Sequence, residues 1–330
     1  MKNVVNAAMV LIGTFIGAGF ASGQEVLQYF GVFGKYGVLG VVISCFLIGL
    51  FTYCTADNIE YLGEKEYIDR ICMFGCVNWL LNLYMLVMFA TMITAFGECL
   101  NQVFGFPKIY GVILIDAVTI IILYFGANGV VKLNGVATPL IIAGIIFAFA
   151  ANNTVSVFSY NNFASSAVIY ASYNVITLPF VMVGMRDMLK SKKGMLGCSV
   201  IFSGTIFILA LCLLKLLNGA DTNVSIPLLD VVSENYVYVL IFVLAMSMLT
   251  TAVSNGYGFL NAISFNKKIS LIFLGLFAVL FSLFSFNFIV KYLYSFFGYM
   301  GLYILFINFY IFIKNREKPQ KLKINNYKLK

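Results

Sequence analysis

Ten apolar stretches occupy nearly all of this 330-residue chain, at roughly 4–30, 37–57, 78–104, 109–126, 134–151, 164–187, 194–217, 235–260, 269–287 and 289–313. Most approach the roughly 20 residues a helix needs to cross the hydrocarbon core of a bilayer. In that medium an unpaired backbone N–H or C=O costs several kcal/mol, so such stretches fold as helices that close their own hydrogen bonds. Only 10% of residues are charged and the mean hydropathy is +0.96, against about 25% charge in soluble domains. The reading is an all-α integral membrane protein of about ten transmembrane helices.

Side chains narrow the chemistry. Aromatic content of 16%, with 33 Phe and 20 Tyr, suits lipid-facing surfaces and interfacial belts. Histidine is absent, so any proton relay must use carboxylates, Lys, Tyr or water. The seven cysteines are mostly within apolar stretches and read as small packing residues rather than a disulfide or metal framework. Neither a metal cluster nor a nucleophile–base pair is legible, so an enzyme is not expected.

Basic residues orient the chain. With the N-terminus in the cytoplasm and loops assigned alternately, 17 of the 21 Lys and Arg residues fall inside, as the positive-inside rule requires. Both termini are then cytoplasmic at the cell membrane. The net charge of +8 is mostly this bias, and the basic tail, residues 314–330, is expected to lie on anionic lipid rather than nucleic acid.

Two stretches contain residues that interrupt a helix. The first carries Gly13, Gly17, Gly19 and Gly23 with Ser22, Gln24 and Glu25; the sixth carries Tyr173, Asn174, Thr177 and Pro179. Matching breaks in two halves point to a transporter binding site near the bilayer midplane. Residues 1–152 and 160–313 each hold five spans and open with a broken one. Five is odd, so the second half enters from the opposite face and the repeat is inverted. Residues 1–313 form one transporter domain on this reading.

At the first break Gly17, Gly19 and Gly23 let the chain leave helical geometry. The following half-helix would direct N–H groups at a carboxylate, with Gly17, Gly19 and Ser22 holding it. The alternative is close helix packing through Gly-x-x-x-Gly spacing. Pro179 frees a carbonyl near Val175 and turns Tyr173, Asn174 and Thr177 toward a cavity; the alternative is a simple kink. Pro139 is read as able to open the fifth span. Glu25 would pair with a substrate ammonium, carry a proton, or hold the break together. Thr91 is a further lining candidate. Ser247, Thr250, Thr251 and Ser254 form one hydroxyl stripe on the eighth span, suited to interhelical hydrogen bonds or to a small cation. Residues 58–77 read as a cytoplasmic amphipathic helix and 218–234 as an outer cap.

Together these features resemble the amino acid–polyamine–cation superfamily with the LeuT fold. Within it, the run from Ile16 to Glu25 resembles the YkvI-type bacterial membrane proteins. The resemblance implies a sodium site with backbone ligands at Gly13, Ile16 and Ser247 and hydroxyl ligands at Thr250 and Thr251. Thr14 stands where neurotransmitter-type members have asparagine, which removes a ligand for a second sodium. The implied function is sodium-coupled transport of a small amino acid or related amine by alternating access. No other cofactor is implied, and no nucleotide-binding motif offers ATP as a driving force. Two alternatives share the fold: a ligand-sensing receptor subunit, and a proton-coupled or uncoupled facilitator.

Overall fold

A computed structural model of the chain describes residues 2–72, 75–150, 162–217, 220–221, 224–232, 236–263 and 266–328. The expected junction between the halves falls at residues 151–161, outside that set, as do parts of the expected outer cap.

All regular structure among the described residues is helical. The first stretch divides into α1 (Lys2–Phe15), α2 (Ala18–Ala21) and α3 (Gln24–Tyr29). Next come α4 (Gly37–Leu62), α5 (Glu64–Ile71), α6 (Gly75–Phe104), α7 (Lys108–Tyr124) and α8 (Ala127–Ala150). The sixth stretch divides into α9 (Phe163–Asn174) and α10 (Leu178–Val183). It is followed by α11 (Lys192–Leu216), α12 (Pro227–Val231), α13 (Val237–Ala262) and α14 (Lys267–Phe281). The last stretch is α15 (Phe286–Phe288), a π-type turn over Ile289–Tyr294, and α16 (Ser295–Lys328), which continues through most of the basic tail. Among the described residues, five helical segments are long and apolar enough to cross a membrane: Gly31–Leu62, Val77–Phe104, Lys192–Leu216, Val237–Asn261 and Phe286–Arg316. Shorter apolar helices lie at Asn3–Phe15 and Leu133–Phe149.

Packing concentrates on a few pairs. α6 lies along α13, α4 along α11, and α9 against both α4 and α16, while α1 packs on α11 and α8. Small residues set the closest approaches. A Cβ on Gly301 of α16 would fall 2.0 Å from the Ser172 carbonyl oxygen of α9. One turn earlier, the Ser172 hydroxyl donates to the Gly298 carbonyl at 2.6 Å. Bare backbone on α16 thus supports α9 where its helix ends. A buried polar network ties α4, α5 and α16: Asn58 donates to Asn308 Oδ1 at 3.0 Å and Tyr67 to the same atom at 2.8 Å.

Three expectations change. Pro139 does not open the fifth helix; α8 begins at Ala127 and holds Pro139 in its interior. A proline there leaves the carbonyl four residues back without its helical donor, and that residue, Gly135, has open space beside it. Pro179 instead sits in the first turn of α10, where the missing N–H would be unpaired in any case. The amphipathic segment is also shorter than 58–77. α4 runs to Leu62, Gly63 turns the chain at φ 83°, and α5 covers Glu64–Ile71 with Tyr67 and Ile71 buried.

Candidate functional site

The first interruption is two bends around a single turn of helix. α1 ends at Phe15, and Gly17 is extended at φ −92° and ψ −172°. The Ile16 carbonyl accepts from the Thr251 hydroxyl of α13 at 3.3 Å. Ala18 N–H, at the start of α2, donates to the Met92 sulfur of α6 at 3.2 Å. The chain bends again at Gly23, left-handed at φ 79°, a conformation glycine adopts without a Cβ penalty. The Ser22 hydroxyl donates to the Gly19 carbonyl at 3.3 Å, and the Ser22 carbonyl accepts from Leu228 N–H of α12 at 3.1 Å. Among the described residues of the expected cap, α12 is thus hydrogen-bonded to the first break.

Gly19 does not break the helix; it lies within α2. Its missing side chain makes room for Glu25, since a Cβ there would sit 2.1 Å from Glu25 Oε1. The carboxylate folds back onto the α2 backbone and is 3% exposed. Its other oxygen, Oε2, accepts from the Tyr173 hydroxyl on α9. One carboxylate thus joins the two interrupted helices.

The second interruption spans Val175–Thr177. Val175 N–H closes the last turn of α9 on the Ala171 carbonyl at 3.1 Å, and the Thr177 carbonyl opens α10 by accepting from Val181 N–H at 3.2 Å. Asn174 donates to the Tyr170 carbonyl of its own helix at 3.0 Å. Asn174 and Thr177 are half-buried and share no hydrogen bond with Glu25. Thr91 turns its hydroxyl onto the Val87 carbonyl of α6 at 2.7 Å.

Four further tyrosines surround the Glu25–Tyr173 contact. The Tyr173 ring lies 5.5 Å from Tyr170, 5.6 Å from Tyr29 and 5.1 Å from Tyr294, centroid to centroid. Tyr84 donates to the Tyr173 carbonyl at 3.2 Å. All five are buried, and the hydroxyls of Tyr170 and Tyr294 have no hydrogen-bond partner. Of this group only Tyr173 is a candidate from the sequence alone. Tyr170 lies one helical turn before it and was within reach of periodicity; Tyr29, Tyr84 and Tyr294 converge only through packing.

Of the expected sodium ligands, Ile16 and Thr251 meet across helices, and Ser247 and Thr250 bond only within α13, where Thr250 donates to the Ser247 carbonyl at 2.9 Å. The Ser247 hydroxyl turns away to Leu244 at 2.9 Å. Gly13 lies against α8, where a Cβ would fall 2.3 Å from Thr138 Oγ1. Thr138 is 1% exposed and its hydroxyl has no partner. Hydroxyl and carbonyl oxygens are hard ligands of the kind small cations take. The Thr138 hydroxyl is absent from the expected set and lies against Gly13 of that set.

No family model matches the chain. In Bacillus subtilis (strain 168) it is 25% identical over 322 residues to the protein YyaD, covering 90% of this chain and 93% of that one. It is 26% identical over 277 residues to the membrane protein YkvI from the same source, covering 76% of this chain and 78% of that one. Among solved structures, a Na+-coupled sialic acid symporter matches with a TM-score of 0.63 at 15% identity, over 92% of this chain and 77% of that one. MhsT in complex with L-phenylalanine matches with a TM-score of 0.61 at 13% identity, over 91% and 87%. Mhp1, a nucleobase-cation-symport-1 family transporter, matches with a TM-score of 0.51 at 14% identity, over 87% and 73%. The chain is thus a distant sequence relative of YkvI, as the run from Ile16 to Glu25 led one to expect, and its fold is similar to that of the LeuT-fold transporters.

Proposed function

We propose that this protein is a sodium-coupled secondary transporter of a small amino acid or related amine, working by alternating access. The observation that carries the reading is the convergence of two interrupted helices on Glu25, together with the bond from the Thr251 hydroxyl to the Ile16 carbonyl where α13 meets the first break. In such a device the breaks hold substrate and ion, and the half-helices swing to open one face or the other. Gly17, Gly19, Ser22, Glu25, Tyr173, Asn174, Thr177 and Thr91 are the substrate set. Gly13, Ile16, Ser247, Thr250 and Thr251 are the sodium set, to which Thr138 is added.

An inverted five-plus-five repeat is part of the proposal, with residues 1–313 as one transporter domain in the cell membrane and both termini cytoplasmic. Helix pairing supports it. Exchanging the halves turns α1 on α11 into α9 on α4, and α1 on α8 into α9 on α16; both members of each pair occur. The pairs α4–α11 and α6–α13 map onto themselves, and they too are present.

The test is thermal unfolding of the purified protein across amino acids and simple amines, in sodium and in potassium. A ligand of the native state raises stability by mass action. A transporter of this kind shows a compound whose stabilisation is larger in sodium and falls to the potassium level in Thr251→Ala. Equal shifts in both salts for every compound would remove sodium from the account.

A further inference from the structure

The surroundings of Glu25 select the charge of what can bind there. Glu25 is buried, and the ion pairs among the described residues involve other acids: Glu60, Glu64, Glu66, Glu98 and Asp187. Its neighbours are tyrosines, whose ring faces carry partial negative charge and attract cations. Tyr173 supplies one hydroxyl donor to the carboxylate. Tyr170 and Tyr294, packed against Tyr173, carry buried hydroxyls with no partner. An unpartnered buried hydroxyl is costly unless something completes it. Tyr294 is delivered by the π-type turn at Ile289–Tyr294, a helix irregularity common at functional sites.

We propose that Glu25 with Tyr29, Tyr84, Tyr170, Tyr173 and Tyr294 forms a box that recognises an organic ammonium group. The substrate is then a cationic amine, held by charge at Glu25, by ring faces, and by N–H donation to the Tyr170 and Tyr294 hydroxyls. In the arrangement described here, the Tyr173 hydroxyl acts as the donor that an ammonium N–H replaces. The proposal deepens the transporter reading and rests on it for movement, though not for binding.

The experiment uses the full chain in lipid nanodiscs, with n-butylamine and putrescine as probes and n-butanol as the uncharged match. Both amines raise the unfolding temperature and n-butanol at equal concentration does not. Tyr170→Phe and Tyr294→Phe remove hydroxyls that bond to nothing, so both variants fold with wild-type stability or better. Each binds amine about tenfold more weakly, the loss expected for one hydrogen bond to a charged group. Glu25→Gln abolishes the amine response. The box is overturned if n-butanol stabilises equally, if neither amine stabilises the folded protein, or if amine affinity is unchanged in both Phe variants. Transport is a separate readout. Amino acid uptake that survives Glu25→Gln overturns the box and leaves the transporter standing. Amine binding without flux under any gradient supports the box and overturns the transporter.

Discussion

The Tyr173 hydroxyl donates to Oε2 of Glu25, and this bond ties α9 to α3 at the meeting point of the two interrupted helices. It is a buried contact to a carboxylate that has no basic partner among the described residues. Its removal should therefore be felt more than that of an ordinary surface bond. Tyr173→Phe is expected to destabilise the protein by about 1–3 kcal/mol, the cost of leaving a buried acceptor unpaired. Glu25→Gln keeps an acceptor for the same hydroxyl and should lie well below that range. Thermal unfolding of the two variants side by side measures the difference.

Glycines in the first break are predicted to differ sharply. Gly17→Ala meets nothing closer than 3.4 Å, and its φ of −92° is open to any residue, so stability should stay within about 0.5 kcal/mol. Gly19→Ala drives a methyl into the Glu25 carboxylate. Displacing that side chain is expected to cost about 1–3 kcal/mol and to break the bond to Tyr173. Unfolding temperatures in the same lipid check both.

On α16 the obstacle is backbone. Gly301→Ala places a methyl 2.0 Å from the Ser172 carbonyl oxygen, and neither helix can yield without moving the end of α9. The expected loss is about 3 kcal/mol or more, seen as poor recovery of folded protein. Gly204→Ala on α11, with nothing within 4 Å, is the matched control and should be nearly neutral.

Much of this was legible in the sequence because lipid leaves few choices. Apolar length located the helices, and the Gly-rich run and Pro179 located both breaks. What each residue does at a break was less legible. Gly19 reads like Gly17 in sequence, but only the folded position of Glu25 shows that one makes space and the other makes a bend. Pro139 reads as a helix opener but lies inside α8, while Pro179 stands just past its break, because helix boundaries depend on where the chain finds its first donors, which hydropathy does not report. Tyr29, Tyr84 and Tyr294 come from three separate segments, and no periodicity links them to Tyr173. Thr138 has no signal on its own helix; Gly13 across the interface gives it meaning.

That pairing yields a fourth prediction. Thr138→Val removes a buried hydroxyl that bonds to no other group, so in potassium the variant should be as stable as wild type or slightly more so. In sodium it should lose most of the salt-specific increment in unfolding temperature. Titration of sodium against unfolding temperature, at constant ionic strength, reads both effects.

Sodium-driven uptake into proteoliposomes tests the central claim most directly. With sodium high outside, the protein is predicted to concentrate an amine or amino acid above its external level, and Thr251→Ala to abolish the accumulation while leaving the protein folded. Flux that merely equilibrates, at one rate whether the gradient is of sodium, of potassium or absent, would contradict the account.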